Sequence, residues 1–121
     1  MNKKIFVISW AIYSFDVLVC LGVTRDAIIQ YFKKFKQELS EDELGRLVMF
    51  GDGRCIMFED GQTILWIKDM PKKGSSVLAH EIFHAVIFLM DRIGIKLLDG
   101  SDEAYAYAIE YLTKKINEQL K

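Results

Sequence analysis

The sequence predicts an α+β fold in which a short β-sheet packs against two long helices near the C-terminus. Four runs are rich in β-branched and aromatic residues, which favour strands, and Asp60-Gly61 between the last two runs is typical of a hairpin turn. These predicted strands cover residues 3–10, 13–21, 54–59 and 62–68. Helical periodicity over about residues 75–94 and 102–119 predicts the two long helices.

Length and composition indicate a single domain covering residues 1–121, with a β-rich part and one helix in residues 1–72. The chain has 121 residues, of which 51% are hydrophobic and 27% charged. Such a composition can bury a core and excludes a disordered chain. The 16 basic and 17 acidic residues give a net charge of −1. Since this charge creates no large positive field, we expect no nucleic-acid partner.

The N-terminal stretch over residues 5–23 has two interpretations. Two lysines before a long apolar run resemble the start of a secretory signal or a membrane anchor. Asp16 interrupts the run, however, and its many Val, Ile and aromatic residues favour strands over a spanning helix. We therefore expect two adjacent strands of a cytoplasmic domain without stable membrane association. A secreted or membrane-anchored form through residues 5–23 is the alternative.

An amphipathic helix is predicted directly after these strands. Thr24 is a good N-cap for it. Three apolar residues fall at helical spacing, with lysines on the other side, so we expect them to face the core. These residues are Ile28, Phe32 and Phe35.

The two cysteines, Cys20 and Cys55, are too few for a disulfide scaffold. Both lie in apolar stretches. We therefore predict buried free thiols in a reducing compartment.

The helix predicted over about residues 75–94 is apolar almost all round, which indicates a buried central helix. We expect residues 71–74 to end the sheet and Ser75 or Ser76 to cap the helix. Gly94 can close it, because glycine adopts the left-handed conformation found after many helices.

The chain's only two histidines, His80 and His84, lie four residues apart in this helix. This spacing puts both imidazoles on one helix face, where two ring nitrogens can reach one zinc ion. Glu81 projects about 100° round the helix, so it lies beside such an ion and can take a proton from a metal-bound water. Together these residues form the H-E-x-x-H arrangement of zinc hydrolases. Burying two imidazoles and a carboxylate in an apolar helix is costly unless a partner such as a metal pairs them.

Two histidines leave a catalytic zinc one protein ligand short. No third histidine is present, so a carboxylate is the remaining usual choice. Asp91 lies two turns beyond His84 on the same helix and cannot reach the same ion. Sequence geometry leaves the other acids open. These candidates are Asp99, Asp102, Glu103 and Glu110.

This arrangement resembles the gluzincin pattern of zinc metallopeptidases. It consists of His80, Glu81 and His84, followed after eighteen residues by Glu103. The helix sequence DEAYAYAIEYL is similar to that of small single-domain minigluzincins and phage-encoded zincin-like proteins. The resemblance implies a small zincin-like domain, a Zn²⁺ cofactor and Glu103 as third ligand. Many gluzincins carry an Asp four residues after that Glu to orient a ligand histidine. Tyr107 occupies this position here, either taking that role through its hydroxyl or filling the core.

The resemblance implies a zinc-dependent hydrolase, most simply a metallopeptidase with Glu81 as general base and a peptide or protein as substrate. A tyrosine in the last helix could stabilise the oxyanion, and an extended substrate could add to an edge strand of the hairpin. The alternative is a non-catalytic zinc-binding domain that acts through a protein partner. The oligomeric state stays open. The tyrosines in question are Tyr105, Tyr107 and Tyr111.

Overall fold

Four strands and four helices follow one another in a computed structural model, which describes residues 3–10, 13 and 15–120 and, for residues 71–74, the backbone alone. The first half holds β1 (Lys4–Trp10), β2 (Phe15–Leu21), α1 (Arg25–Lys34) and α2 (Glu41–Arg46). The second half holds β3 (Gly53–Met57), β4 (Thr63–Ile67), α3 (Met70–Arg92) and α4 (Asp102–Gln119). The predicted α+β class is confirmed.

The strands form one mixed sheet in the order β1-β2-β4-β3. β1 and β2 pair antiparallel, as do β3 and β4, so both predicted strand pairs are confirmed. Between them β2 and β4 run parallel, with Val19 opposite Leu65 and Cys20 opposite Trp66. The hairpin turn contains Gly61 at φ +93°, a conformation that favours glycine.

Helices cover both faces of this sheet. Side chains alternate along a strand, so Val19 of β2 belongs to the core beneath α3 and α4, while Cys20 belongs to the core beneath α1. Leu65 and Trp66 of β4 divide in the same way. The two central strands are therefore buried on both sides, which explains their nearly continuous apolar sequence.

The helix α1 begins as predicted but ends one residue before Phe35. The Thr24 hydroxyl accepts a hydrogen bond from the Ala27 amide at 3.2 Å, and Ile28 and Phe32 are buried. Phe35 lies at the C-cap with 62% of its surface exposed, so its prediction as a core residue is wrong. Because the helix stops there, the periodicity that would turn this ring inward no longer applies.

The helix α3 begins earlier than predicted. Asp69 is its N-cap and Pro71 lies in its first turn, so residues 71–74 open the helix and Ser75 and Ser76 do not cap it. Proline is tolerated there because the first helical N–H groups have no intrahelical partner. At the other end Gly94 has φ +79° and its amide donates to the Asp91 carbonyl, which confirms the predicted helix end.

Over residues 75–92, α3 is buried on one side and exposed on the other, which corrects the prediction of a buried helix. Leu78, Ile82, Ala85 and Leu89 face the sheet and α4. On the opposite side Phe83 is 43% exposed. An apolar composition therefore overstated how completely the helix is covered.

The helix α4 has the predicted bounds, residues 102–119, and packs on α3 and β1. Its buried stripe repeats at helical spacing and consists of Tyr105, Ala108, Leu112 and Ile116. None of the helices in the described part of the chain is long and apolar enough to cross a membrane. Most of the stretch over residues 5–23 lies in β1 and β2.

Candidate metal centre

The two histidines project from the outer face of α3. His80 and His84 are both exposed, and the His80 side chain keeps 67% of its surface accessible. Residues 80 and 84 lie about 140–180° round the helix from the core-facing Ile82 and Leu89. The imidazoles therefore remain in contact with solvent. The expectation that both are buried and need a metal to offset the cost of burial is wrong. The carboxylate alone is buried.

The ring nitrogens of this pair are close enough to share one ion. The Nε2 atoms of His80 and His84 lie 3.2 Å apart. Two nitrogens bound to a tetrahedral zinc at about 2.0–2.1 Å are about 3.3 Å apart. In the metal-free protein one ring can donate its N–H to the other at this distance, and a metal would take the place of that proton. The pair thus fits a metal with little rearrangement.

Glu81 lies between the exposed face of α3 and the core. Its residue exposure is 6%, and its Oε2 atom is 4.0 Å from Nε2 of His80. Burial raises the pKa of this carboxyl, and the charge on His80 and His84 offsets part of that increase. A carboxyl with a raised pKa is better suited to accept and return a proton near neutral pH.

These three residues form a cluster with metal-binding chemistry. One ligand atom from each of His80, Glu81 and His84 lies within 4.8 Å of the others. Two imidazoles and a carboxylate suit several divalent transition metals, with zinc among them. The cluster could therefore hold a metal ion through its histidines, with Glu81 close beside it.

Glu103, predicted as third ligand, is not part of this cluster. It lies in the first turn of α4 and is exposed. At about 100° per residue, it lies about 160° from the buried Tyr105, on the solvent-exposed side of α4. Glu103 thus lies outside the histidine cluster in this structure, and its role as ligand stays a prediction.

The other candidate acids are exposed and also lie outside the cluster. Asp99 is in the connection between α3 and α4, and the Asp102 carboxylate accepts a hydrogen bond from the Glu103 amide at 3.0 Å. Asp91 and Glu110 are exposed on their helices. Within the described residues, the two histidines therefore lie together as metal ligands, but none of the candidate acids joins them as a third ligand.

The tyrosines of α4 lie away from the histidine pair. The Tyr105 hydroxyl donates to the Ile95 carbonyl at 2.6 Å, and that of Tyr111 donates to the Ser9 carbonyl at 3.1 Å. Tyr107 is 66% exposed and lines a surface pocket with Trp10 and other residues near β1. Its predicted role in orienting a ligand histidine therefore gains no support from its position.

Two residues next to Glu81, at the start of β3, were not predicted from any motif. A shallow pocket of about 280 Å³ is lined by His80, Glu81, Asp52 and Gly53, together with residues of the first turns of α3. A pocket of this size and openness admits a small group or part of a chain. Asp52 and Gly53 have no motif around them, so only the fold reveals that they adjoin the site.

The cysteines are free thiols on opposite faces of the sheet, and Cys20 is buried as predicted, whereas Cys55 is only partly buried. Burial raises the pKa of Cys20 to about 12. Burial also raises the pKa of Cys55, and the neighbouring Glu81 carboxylate adds to the increase. Thiols held in the protonated form are poor metal ligands and nucleophiles.

Comparisons with protein-family models, with curated proteins and with solved structures find no match for this chain. The H-E-x-x-H cluster in α3 is the part of the gluzincin resemblance that the structure shows.

Proposed function

We propose that the protein is a zinc-dependent hydrolase, most simply a metallopeptidase. The observation that carries the proposal is the 3.2 Å separation of the His80 and His84 ring nitrogens, with the buried carboxylate of Glu81 beside them. A structural metal site has no need of a non-ligand carboxylate next to the ion. Chance placement of both histidines around a glutamate in this spacing is uncommon.

The residues divide the chemistry between them. His80 and His84 would hold the ion, which when bound supplies a water of lowered pKa and polarises the scissile carbonyl. Glu81 accepts the proton of the attacking water and returns it to the leaving amine. Its raised pKa favours this exchange, because the carboxyl can hold the proton between the two steps.

A peptide substrate is favoured by the position of β3. This strand forms one edge of the described sheet and begins at Gly53, which packs beside Glu81. Extended peptides bind exposed sheet edges through backbone hydrogen bonds. A peptide added there would lie next to the carboxylate. The β3–β4 hairpin also has a structural role, because it covers the core. We include a peptide site on its edge strand as part of this proposal.

Glu103 remains the proposed third ligand within one chain. Its binding to the same ion as the histidines would require its carboxylate to move toward them, since it lies outside their cluster.

The substitution Glu81→Gln tests the hydrolase directly. Zinc content should be retained because Glu81 is not a ligand, while peptide hydrolysis should fall by about 10²–10⁴-fold with loss of the base. The matched control is Glu110→Gln, which changes an exposed glutamate outside the cluster and should leave the rate unchanged. If Glu81→Gln hydrolyses peptides like the wild type, the assignment of the base is wrong.

A non-catalytic zinc-binding domain is the second candidate. It is favoured by the exposure of His80 and of the neighbouring Phe83, which lie on an outward helix face. This outward position leaves the histidine pair and the Phe83 ring open to contact with a partner protein. Wild-type protein that binds zinc but hydrolyses no peptide in a broad library would favour this function.

A further inference from the structure

The metal ligands of this chain form half of a tetrahedral site. His80 and His84 supply two nitrogens, and none of the described Asp, Glu and Cys residues other than Glu81 joins them. A protein-bound zinc commonly takes three or four protein ligands. Both imidazoles are exposed on the outer face of a helix, so the missing ligands can come from another molecule.

We propose that a second copy of this chain completes the site, so that His80 and His84 of both copies bind one zinc ion. A two-fold axis through the ion brings the outer faces of two α3 helices together, and the helices cross steeply because the two ligand pairs of a tetrahedral ion lie in perpendicular planes. Such an interface is isologous, because each copy presents the same residues to the other. Two pairs of ring nitrogens then meet at the axis and supply four ligands.

The residues around the pair suit a helix-to-helix contact. Phe83 is 43% exposed and its ring centroid is 6.3 Å from that of His84. Ile87 is partly buried and follows one turn later on the same side. Phe83 and Ile87 therefore offer apolar surface next to the ion without blocking the imidazoles.

This apolar surface is too small to hold a dimer by itself. Stable protein interfaces bury about 1,200–2,000 Å² in total, whereas each copy offers one exposed ring and part of an isoleucine at this face. Most of the affinity must then come from the metal. The dimer should form with zinc and dissociate when a chelator removes it.

One part of this proposal rests on the proposed function: the dimer would regulate the hydrolase by occupying its metal site. Four imidazoles occupy all positions of a tetrahedral zinc and leave none for water. The bridged dimer would therefore be a resting form, and the chain with a free ligand position would be the hydrolase. Dimer formation itself does not depend on whether the monomer hydrolyses peptides.

The test measures the molar mass of the full chain in solution while Zn²⁺ is added to metal-free protein. Dimer should be most abundant at about one zinc per two chains and decline in excess zinc, because each pair can then take its own ion. EDTA should return the protein to monomer. A chain that stays monomeric throughout, or a dimer that resists EDTA, overturns the proposal.

Variants separate the metal ligands from the apolar contact. His84→Ala should abolish the zinc-dependent dimer, whereas Phe83→Ser should weaken dimerisation about tenfold while zinc still binds. Leu98→Ser is the matched control, because Leu98 is 66% exposed but lies outside α3. Equal effects of Phe83→Ser and Leu98→Ser would contradict an α3 interface.

Glu103→Ala distinguishes closure by a second copy from closure within one chain. The bridged site predicts an unchanged zinc-dependent dimer, because its four ligands are imidazoles, whereas a monomer that uses Glu103 as third ligand should bind zinc less tightly in this variant. Loss of the zinc-dependent dimer in this variant would show that the bridge needs Glu103, and it would overturn the proposal while leaving the proposed hydrolase intact. Loss of hydrolysis in Glu81→Gln with an intact dimer would support both.

Discussion

Gly53 on β3 lies directly against Glu81 on α3. A β-carbon added to Gly53 would be 3.1 Å from Cγ of Glu81 and only 2.5 Å from Cγ1 of Val77. It would also be 3.2 Å from Cδ1 of Ile67 on the neighbouring strand. The absence of a side chain thus lets the edge strand approach the helix that carries the candidate site.

Gly53→Ala should therefore destabilise the protein and disturb the position of Glu81. The added methyl group overpacks a close contact between two backbone elements, which costs about 1–3 kcal/mol. Chemical denaturation should show a lower midpoint with an unchanged slope. If the proposed hydrolase is correct, its activity should fall as well, because the carboxylate is displaced.

Gly45→Ala is the matched control for this substitution. Gly45 lies in α2 with no atom within 4 Å of an added β-carbon. Alanine is the better helix former, so the variant should gain about 0.5–1 kcal/mol. Similar unfolding midpoints for the alanine variants at positions 45 and 53 would contradict the close approach of β3 to α3.

The native protein should resist alkylation at both cysteines. Burial raises the pKa of Cys20 to about 12 and also raises that of Cys55, so neither thiol forms much of the reactive thiolate near neutral pH. Mass spectrometry after iodoacetamide treatment should find unmodified native protein and two modified residues after denaturation. Rapid labelling of Cys55 in native protein would show that β3 opens away from α3.

Glu81 should make the metal-free protein less stable as pH rises. Its folded pKa is raised by burial, so the folded state binds the proton more tightly than the unfolded state does. Its contribution is most favourable below the unfolded carboxyl pKa and is lost as pH rises through the raised folded value. Glu81→Gln removes this titration, so its stability advantage over the wild type should grow with pH.

Denaturant titrations of both proteins in EDTA at several pH values measure this difference. Groups that titrate alike in the two proteins cancel in the comparison. A constant difference across the acidic and neutral range would contradict a raised pKa for Glu81.

The local elements were predictable from the sequence because short-range chemistry determines them. Thr24 accepts the hydrogen bond expected of an N-cap, and Gly61 has the positive φ that a hairpin turn requires. The bounds of α4 also follow from its periodicity. Such features depend on neighbours within a few residues, all of which are visible in one sequence.

Relationships between distant segments could not be predicted in this way. The parallel pairing of β2 with β4 joins strands that are separated by more than 40 residues. The contact of Gly53 with Glu81 depends on this topology as well, because it follows from where β3 lies beside α3. Nothing in the local sequence around Gly53 specifies its neighbour.

The part of the candidate site that lies within one helix was predicted from the sequence. The contribution of a ligand from another helix was left open. The spacing of His80 and His84 specifies their shared helix face, and their ring nitrogens lie 3.2 Å apart as a chelating pair requires. The position of Glu103 instead depends on how α4 is rotated against α3. The buried stripe that includes Tyr105 sets this rotation and turns Glu103 outward.

Zinc should stabilise the wild-type protein, and His84→Ala should remove this effect. Metal that binds only the folded state adds about 2.7 kcal/mol at a concentration 100 times its dissociation constant, an increase that a thermal unfolding experiment detects readily. Because the His84 side chain is exposed, its loss should change the metal-free stability by no more than about 0.5 kcal/mol. Asp91→Ala is the control, since it removes an exposed acid from the same helix outside the cluster and should keep the full zinc effect. Equal stabilisation of the His84→Ala and wild-type proteins by zinc would place the metal elsewhere in the chain.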